Sequence, residues 1–293
     1  MPCIAGITQN TNIVKMAKYV AIGIAFIVAL LIVGLIFSVN DRSEAGDSSS
    51  LFLKINNAEW KETFFDPGTK DWKLNWHLDG LKATVNNNSK GMDFKAGPTY
   101  RDDSCHAVLW TKKIFEGDIK IEYEYTKLDT FTRAVTIIYL LATGCQEGPF
   151  EKDIFRWNHL RVKPSMRTYF NNMNTYHISY AAFPMNSQGP DDDYIRARRY
   201  MPLAKNGLDG TALEPDYFKT GLFKNGIHYK ITIIRKANDL FMNVNGDGKD
   251  MLCYWKTDSH PPIIEGRIGL RHMFTRAARY RDFRVSVLSS KGK

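Results

Sequence analysis

Two stretches of the 293-residue chain combine basic and aromatic side chains. Residues 156–200 are rich in Arg, His, Tyr and Trp, and residues 267–281 hold five Arg with one His, one Tyr and no acid. Arginine binds a carboxylate or sulfate through two parallel hydrogen bonds, while Tyr and Trp offer flat apolar faces with a polar edge. These residue types together are suited to binding an anionic sugar polymer.

The same side chains would support β-elimination of a uronate polysaccharide. Arg would neutralise the uronate carboxylate, and His or Tyr would remove the C5 proton and protonate the leaving oxygen. We assign this proton transfer to three residues: His177, Tyr180 and His272. We expect substrate contacts from seven further residues: Arg156, Trp157, His159, Arg196, Arg198, Tyr200 and Arg271. The alternative for each is structural, because Arg on a strand often faces solvent and His in a sandwich is often hydrogen-bonded.

Strand alternation decides which of these side chains can meet. Three residues of "YIRARRY" share one face: Tyr194, Arg196 and Arg198. In "HISYA", His177 and Ser179 share a face and Tyr180 lies on the other. Arg271 and His272 point in opposite directions, so at most one of them lines a given face of a sheet.

Hydrolysis would instead need two carboxylates roughly 5–10 Å apart across a sugar. "IEYEYTKLD" (121–129) places Glu122 and Glu124 on one strand face, although an ordinary half-exposed strand explains this alternation better. HExxH, CxxC, P-loop and G-x-S-x-G motifs are absent, which weighs against a zinc site, a nucleotide site and a serine hydrolase. We predict no cofactor and no metal site, and leave a structural calcium ion open at Asp191, Asp192 and Asp193.

The net charge of +9 favours an anionic partner. Nucleic acid is not favoured, because the basic residues form no Lys/Arg-rich block. Three cysteines, Cys105, Cys145 and Cys253, lie in the C-terminal part, so one disulfide or buried free thiols are both open.

The N-terminal region predicts export. Residues 19–39 are 21 uncharged, mostly apolar residues, which as a helix would span about 30 Å, the thickness of a bilayer core. Lys15 and Lys18 precede this run, which places the C-terminal bulk outside the cytoplasm. A cleaved signal peptide is the alternative, and the domain would then be secreted. The prediction divides the chain into a cytoplasmic N-terminus (1–18), a transmembrane or signal-anchor helix (19–39), a linker (40–50) and a folded domain (51–293).

The folded domain is predicted to be all-β. Seven segments alternate or are apolar enough to be strands: Ala107–Ile114, Asp118–Tyr125, Ala134–Leu141, His177–Phe183, Tyr229–Arg235, Leu240–Val244 and Asp282–Leu288. "NGDG" at 245–248 indicates a hairpin, and short helices are expected only around 150–175. Many short strands in one domain indicate a two-sheet antiparallel sandwich.

A family resemblance narrows the architecture. "GIHYKITIIRKANDLFMNVNGDGKD" (226–250) and "EGRIGLRHMFTRAARYRDFRVSVL" (265–288) resemble the end of a concanavalin A-like jelly roll. Together with "HISYA" (177–181), they resemble an uncharacterised bacterial branch found in pectin and other polysaccharide utilisation clusters. The resemblance implies a jelly roll with a concave face that holds glycans, and it implies no particular reaction.

Three functions follow as hypotheses. The leading one is an extracytoplasmic polysaccharide-cleaving enzyme, a lyase before a hydrolase, that acts on an anionic, uronate-containing substrate. The second is a lectin-like module that binds glycan at the cell surface without turnover. The third is a structural domain whose basic surface docks on an acidic protein or on lipid headgroups.

Overall fold

The computed structural model describes residues 47–289. The chain divides into two units after Ile55, and the described residues of the first unit, 47–55, are helical. The predicted membrane helix (19–39) and the N-terminus (1–18) lie outside the described residues. Residues 47–50, placed in the linker by the sequence, are helical. Among residues 47–289, no helix is both long enough and apolar enough to cross a membrane.

The second unit is an all-β sandwich of two antiparallel sheets, as predicted. The strands of the first sheet are β1 (Trp60–Asp66), β3 (Thr84–Asn88), β4 (Gly91–Lys95), β7 (Ile119–Lys127), β12 (His228–Lys236), β13 (Asp239–Gly246), β14 (Lys249–Lys256) and β16 (Ala277–Leu288). In its described part, this sheet has the strand order β14-β13-β12-β7-β16-β4-β3, with β1 also beside β16.

The strands of the second sheet are β2 (Trp76–Asp79), β5 (Ala107–Thr111), β6 (Phe115–Glu116), β8 (Ala134–Gly144), β9 (Met173–Phe183), β10 (Tyr194–Tyr200), β11 (Ala212–Phe218) and β15 (Glu265–His272). Their order is β11-β10-β9-β8-β15-β5-β2, with β6 beside β15. The helices of this unit are short: α1 (Met166–Asn172) and the 3-10 segments Trp72–Leu74, Asp103–Cys105, Ile154–Arg161, Pro190–Asp192 and Pro202–Ala204.

The strands predicted from the sequence are confirmed. Each of the seven segments coincides with a strand, although β5 ends at Thr111 instead of Ile114. The "NGDG" turn joins β13 to β14, and the short helices of the 150–175 region are Ile154–Arg161 and α1. Cys105, Cys145 and Cys253 are buried free thiols, so the disulfide alternative is not realised.

The two sheets differ in what covers their outer faces. Along β7, buried and partly exposed residues alternate, so Tyr123 points into the core while Glu122 and Glu124 point outwards. In contrast, β8 is buried on both faces over nearly its whole length. A half-exposed strand in the first sheet and a doubly buried one in the second show that another layer packs on the outside of the second sheet.

That layer is the covering segment, which we define as residues 154–172. Its side chains pack on outward-facing residues of β5 and β8 in a second apolar cluster beside the core between the sheets. The rings of Trp110 and Tyr139 stack with centroids 5.5 Å apart, and the ring of Tyr169 from the covering segment lies 6.0 Å from Tyr139. Gly269 provides the space for this stack, because a Cβ atom there would lie 2.4 Å from the Trp110 ring.

The substitution Gly269→Ala should therefore destabilise the fold. We expect overpacking against Trp110 to lower the free energy of unfolding by about 1–3 kcal/mol, measured by urea denaturation. Gly189→Ala is the control, since Gly189 has extended backbone and no atom within 4 Å of a Cβ. The control should change stability by less than about 0.5 kcal/mol. Equal effects of the two substitutions would show that the ring stack is not tightly packed.

Candidate functional site

The outer face of the second sheet gathers several of the predicted site residues. Arg198 of β10 pairs with His177 of β9, and Arg196 pairs with Ser179. Tyr194 joins them at the start of β10, and its ring lies 5.0 Å below the Arg196 guanidinium. We call these residues, Tyr194, Arg196, Arg198, His177 and Ser179, the basic face. The alternation predicted from the sequence is confirmed here, because Ile195 and Ala197 point into the core between the sheets.

His177 is held at both of its ring nitrogens. Its Nδ1 atom lies 2.5 Å from the Tyr200 hydroxyl and its Nε2 atom lies 2.6 Å from the Ser179 hydroxyl. Burial lowers the pKa of His177 well below its ordinary value, and the charges of the nearby arginines lower it further. The imidazole is therefore neutral at physiological pH and serves as a hydrogen-bonding link within the sheet face.

Positive charge exceeds negative charge around His177. Arg196 is neutralised by Asp216, since its Nε atom lies 2.8 Å from both carboxylate oxygens. Arg198 donates to the Thr211 hydroxyl at 3.2 Å and forms no ion pair with any residue that the structure describes. Arg271 also has no acidic partner in the described part of the chain. The carboxylate of Glu214 on β11 also acts on Arg196. Three guanidinium groups against two carboxylates leave an excess of one positive charge.

Arg271 is fully buried, one strand beyond β8. It donates to Nδ1 of His106 at 2.7 Å and to the carbonyl oxygen of Pro164 at 2.8 Å, and its guanidinium lies 4.6 Å from the Tyr169 ring. Its charge reaches His177, whose pKa it helps to lower, although the side chain itself is closed off from solvent. Arg271 therefore contributes to the electrostatic field of the basic face and has no exposed surface with which to contact a ligand.

Two of the three residues assigned to proton transfer lie elsewhere, and this corrects the sequence-based assignment. Tyr180 and His272 are fully buried in the core between the sheets. The hydroxyl of Tyr280 lies 3.4 Å from that of Tyr180 and 2.8 Å from Nε2 of His272. Neither residue can reach a polymer at the surface. Only His177 of the three lies on the outer face.

The remaining predicted contact residues are also divided. Trp157 is fully buried beneath Arg161, whose guanidinium lies 4.1 Å from its ring, so it cannot stack on a sugar. Tyr200 is buried as the partner of His177. Arg156 and His159 are exposed on the covering segment. His159 lines a cavity of about 230 Å³ beside β2, at the sheet edge opposite β11, so it does not join the basic face.

A buried carboxylate that no sequence pattern indicated holds the covering segment in place. Oδ2 of Asp79 accepts hydrogen bonds from Nε1 of Trp110 at 2.8 Å, Nε of Arg161 at 2.6 Å and the hydroxyl of Tyr169 at 3.0 Å. Its two covering-segment partners are more than 80 positions away in the sequence. No local motif signals such a contact. Asp216 and Ser179 were likewise assigned no role from the sequence.

The described residues include no group of three or more His, Cys, Asp or Glu side chains placed to hold a metal ion. Asp193, in the acidic run considered for calcium, accepts hydrogen bonds from the Thr220 hydroxyl and from the backbone nitrogen of Gly221 at 3.1 Å. Asp192 accepts from the backbone nitrogen of Gln188 at 2.6 Å. Both side chains therefore bind donors of the protein itself.

A family model described as "Domain of unknown function (DUF1961)" matches residues 68–285. The chain belongs to the DUF1961 family. No curated protein sequence matches it. Among solved structures, it is similar to a protein of unknown function with a galectin-like fold from Bacillus subtilis, with 18% identity, a TM-score of 0.58, and coverage of 79% of this chain and 100% of that one.

Two further structures are more distant. The carbohydrate-binding module CBM66 from Bacillus subtilis has 10% identity and a TM-score of 0.43, with 73% of this chain and 96% of that chain covered. Lectin I-B4 from Griffonia simplicifolia has 11% identity and a TM-score of 0.47, with 77% and 99% covered. The similarity to the galectin-like structure supports the concanavalin A-like jelly roll that the sequence predicted, whereas the polysaccharide-cluster branch stays a hypothesis.

Removing the Asp79 carboxylate should uncouple the covering segment from the sheet. We expect Asp79→Ala to lower the free energy of unfolding by about 3–5 kcal/mol, because it leaves the buried Arg161 without a counter-charge. The exposed pair of Glu62 and Arg284, 3.6 Å apart, gives the control. Glu62→Ala should cost less than about 1 kcal/mol. Urea denaturation of both variants makes the comparison, and similar losses would refute the role given to Asp79.

Buried neutral histidines should make the fold acid-sensitive. Burial lowers the pKa of His177 well below 6.5 and lowers the pKa of His106 and His272 to about 3. Below pH 6.5 the unfolded chain therefore binds protons that the folded chain excludes, so stability falls as the pH falls. Each histidine should contribute a slope approaching about 1.4 kcal/mol per pH unit. Chemical denaturation at pH 7, 6 and 5 measures this slope, and a flat profile would contradict the assignment.

Proposed function

We propose that this chain binds an anionic polysaccharide through its basic face and does not cleave it. The observation that carries the proposal is the partly exposed guanidinium of Arg198, which has no acidic partner among the described residues and lies beside the partly exposed Tyr194 and Arg196. A guanidinium without a counter-ion favours a carboxylate or sulfate, and the neighbouring Tyr ring offers an apolar surface to a sugar. The concanavalin A-like fold is consistent with this, because the resemblance implies a sheet face that holds glycans.

Binding fits the chemistry of the face better than cleavage does. A general base must accept a proton, and His177 is a weak base because burial and the neighbouring guanidinium groups oppose its positive charge. Both of its ring nitrogens are also engaged by protein hydroxyls. With Tyr180 and His272 in the core, no second proton-transfer group from the predicted set stands beside it.

The carboxylate pair considered for hydrolysis does not supply the missing chemistry. Glu122 and Glu124 lie on the outer face of the first sheet, beside a cavity of about 230 Å³. Glu124 lies 3.1 Å from Nε2 of His228 and 3.9 Å from Nε of Arg281, and Glu122 lies 3.5 Å from Lys120. Such pairs are ordinary on a solvated strand face, which is the interpretation favoured from the sequence.

Binding and turnover can be measured on the same samples. We expect the full chain to bind at least one uronate polymer from a panel that includes pectic polymers, saturably and more weakly at high salt. Arg198→Gln should weaken this binding about tenfold or more, since a hydrogen bond between charged groups contributes about 1.5–3 kcal/mol. The polymer length and the ultraviolet absorbance of unsaturated ends should stay constant throughout.

Arg284→Gln is the matched control, because Arg284 is a partly exposed arginine on the other sheet. It should leave the affinity unchanged. New reducing or unsaturated ends would restore the enzyme hypothesis, with lyase and hydrolase distinguished by the absorbance. Retention on anionic lipid vesicles without binding to any glycan would favour the third hypothesis, a docking domain.

A further inference from the structure

A third cavity lies where β8, β10 and α1 end. Its volume is about 390 Å³, within the range of roughly 300–1,000 Å³ that ligand pockets show. We call it the end cavity. The residues that bear on its chemistry are Glu147, Phe150, Asn171, Asn172, Pro202 and Lys205. None of them was assigned a role from the sequence.

The lining of the end cavity is polar and electrically balanced. Glu147 and Lys205 are exposed and lie 3.9 Å apart, so their charges cancel. Asn172 donates from Nδ2 to the carbonyl oxygen of Thr168 at 2.9 Å, which leaves its amide oxygen as an acceptor. The side chain of Asn171 is exposed and forms no hydrogen bond within residues 47–289. An amide both donates and accepts, which is what a sugar hydroxyl requires.

Apolar surface stands beside these polar groups. Phe150 and Pro202 line the same cavity, and the Phe150 ring is fixed by edge contact with Trp157, with centroids 5.2 Å apart. A pyranose has hydroxyls around its rim and apolar C–H groups on its faces, so it matches a wall of this mixed kind. Among the described residues, the end cavity has no uncompensated positive charge to bind a uronate or a sulfate, whereas the basic face has the unpaired Arg198.

The wall is held rigid by backbone hydrogen bonds. The backbone nitrogen of Cys145 donates to the carbonyl oxygen of Asn172 at 2.9 Å, and that of Gln146 donates to the carbonyl oxygen of Phe150 at 2.8 Å. Gly148 turns the loop with φ of +56°, a left-handed conformation that favours glycine. Because the wall is ordered before binding, the conformational free-energy cost of binding a ligand is small.

The end cavity lies beyond the end of β10, the strand that carries the arginines of the basic face. β10 ends at Tyr200, and Pro202 follows two residues later, so at about 3.3 Å per residue Arg198 and Pro202 are at most roughly 13 Å apart. α1 joins the two regions, because it carries Asn171 and Asn172 as well as Phe170, whose ring centroid lies 6.5 Å from that of Tyr200. One polymer chain can therefore reach both regions.

We propose that the end cavity is a second subsite for the polysaccharide that binds the basic face. The basic face contacts an acidic sugar of this polymer, and the end cavity takes an uncharged pyranose of the same chain. This inference rests on the proposed function. It adds a substrate class: a polymer in which acidic and neutral sugars occur within a few residues of one another.

The test uses the full chain and two kinds of probe. Methyl glycosides of neutral hexoses, namely glucose, galactose and mannose, are examined by saturation-transfer NMR, and a uronate oligosaccharide is titrated calorimetrically. We expect at least one neutral glycoside to bind in the millimolar range, and Asn171→Ala and Phe150→Ala each to weaken it at least fivefold. Arg198→Gln should leave glycoside binding unchanged while it weakens binding of the uronate probe.

Asn158→Ala is the matched control, because Asn158 is an exposed asparagine that lines the cavity beside His159. It should alter neither affinity. Asn171→Ala keeps the test independent of folding, since Asn171 is exposed, whereas Phe150 packs on Trp157. The circular dichroism spectrum and melting temperature of each variant check this.

The outcomes separate the two proposals. Uronate binding that depends on Arg198, with no neutral glycoside bound, would overturn the second subsite and leave the proposed function standing. The second subsite is equally overturned if a glycoside binds but is indifferent to both Asn171→Ala and Phe150→Ala. Glycoside binding that depends on Asn171, with no uronate bound, would support the cavity as a sugar site and overturn the anionic polysaccharide.

Discussion

The hydrogen bonds of one buried carboxylate determine which part of the second sheet remains open. Asp79, at one sheet edge, accepts from Trp110 on the neighbouring strand and from Arg161 and Tyr169 of the covering segment. Its location in a dry layer makes these bonds strong and makes the loss of any partner costly. The covering segment is therefore fixed over β2, β5, β15 and β8, and the strands beyond β8 carry the polar outer surface.

Charge follows the same division. In the covering segment, Arg161 has Asp79 as its counter-charge, and near the opposite sheet edge Arg196 has Asp216. Between these two pairs, Arg271 and Arg198 have no acid partner among the residues of the described range. Arg271 is enclosed and Arg198 is partly exposed, so an anion from outside the chain could contact Arg198 alone and would offset the charge of Arg271 only at a distance. This charge arrangement is the electrostatic basis of the proposed binding of a negatively charged ligand.

Local patterns in the sequence were sufficient to predict the strands, the hairpin at 245–248 and the direction of side chains along β9 and β10. These features depend on neighbours in sequence, through alternation and turn chemistry. The assignments of Tyr180 and His272 failed because residue type was given more weight than face: each lies one position from an outward-facing residue, His272 directly after Arg271. Their polar atoms bind Tyr280 inside the core.

Other parts of the site depend on contacts that no short motif encodes. Trp157 is of a residue type that stacks on sugar rings, but the hydrogen bonds of Asp79 hold the covering segment so that Trp157 is buried within it. Asp216 comes next to Arg196 of the basic face only because β11 pairs with β10 at the sheet edge. The end cavity is formed where two strand ends and a helix end meet, from residues with no common pattern in sequence. Tertiary pairing over long separations decides all three.

The location of a bound acidic glycan decides whether the basic face is the binding site. Hydrogen–deuterium exchange of the full chain, with and without a saturating uronate oligosaccharide, reports where the backbone becomes protected. We predict slower exchange in peptides that cover β9 and β10, with the first sheet unchanged. Protection confined to β7, β12 and β13 of the first sheet, or no protection at saturation, would contradict glycan binding at the basic face.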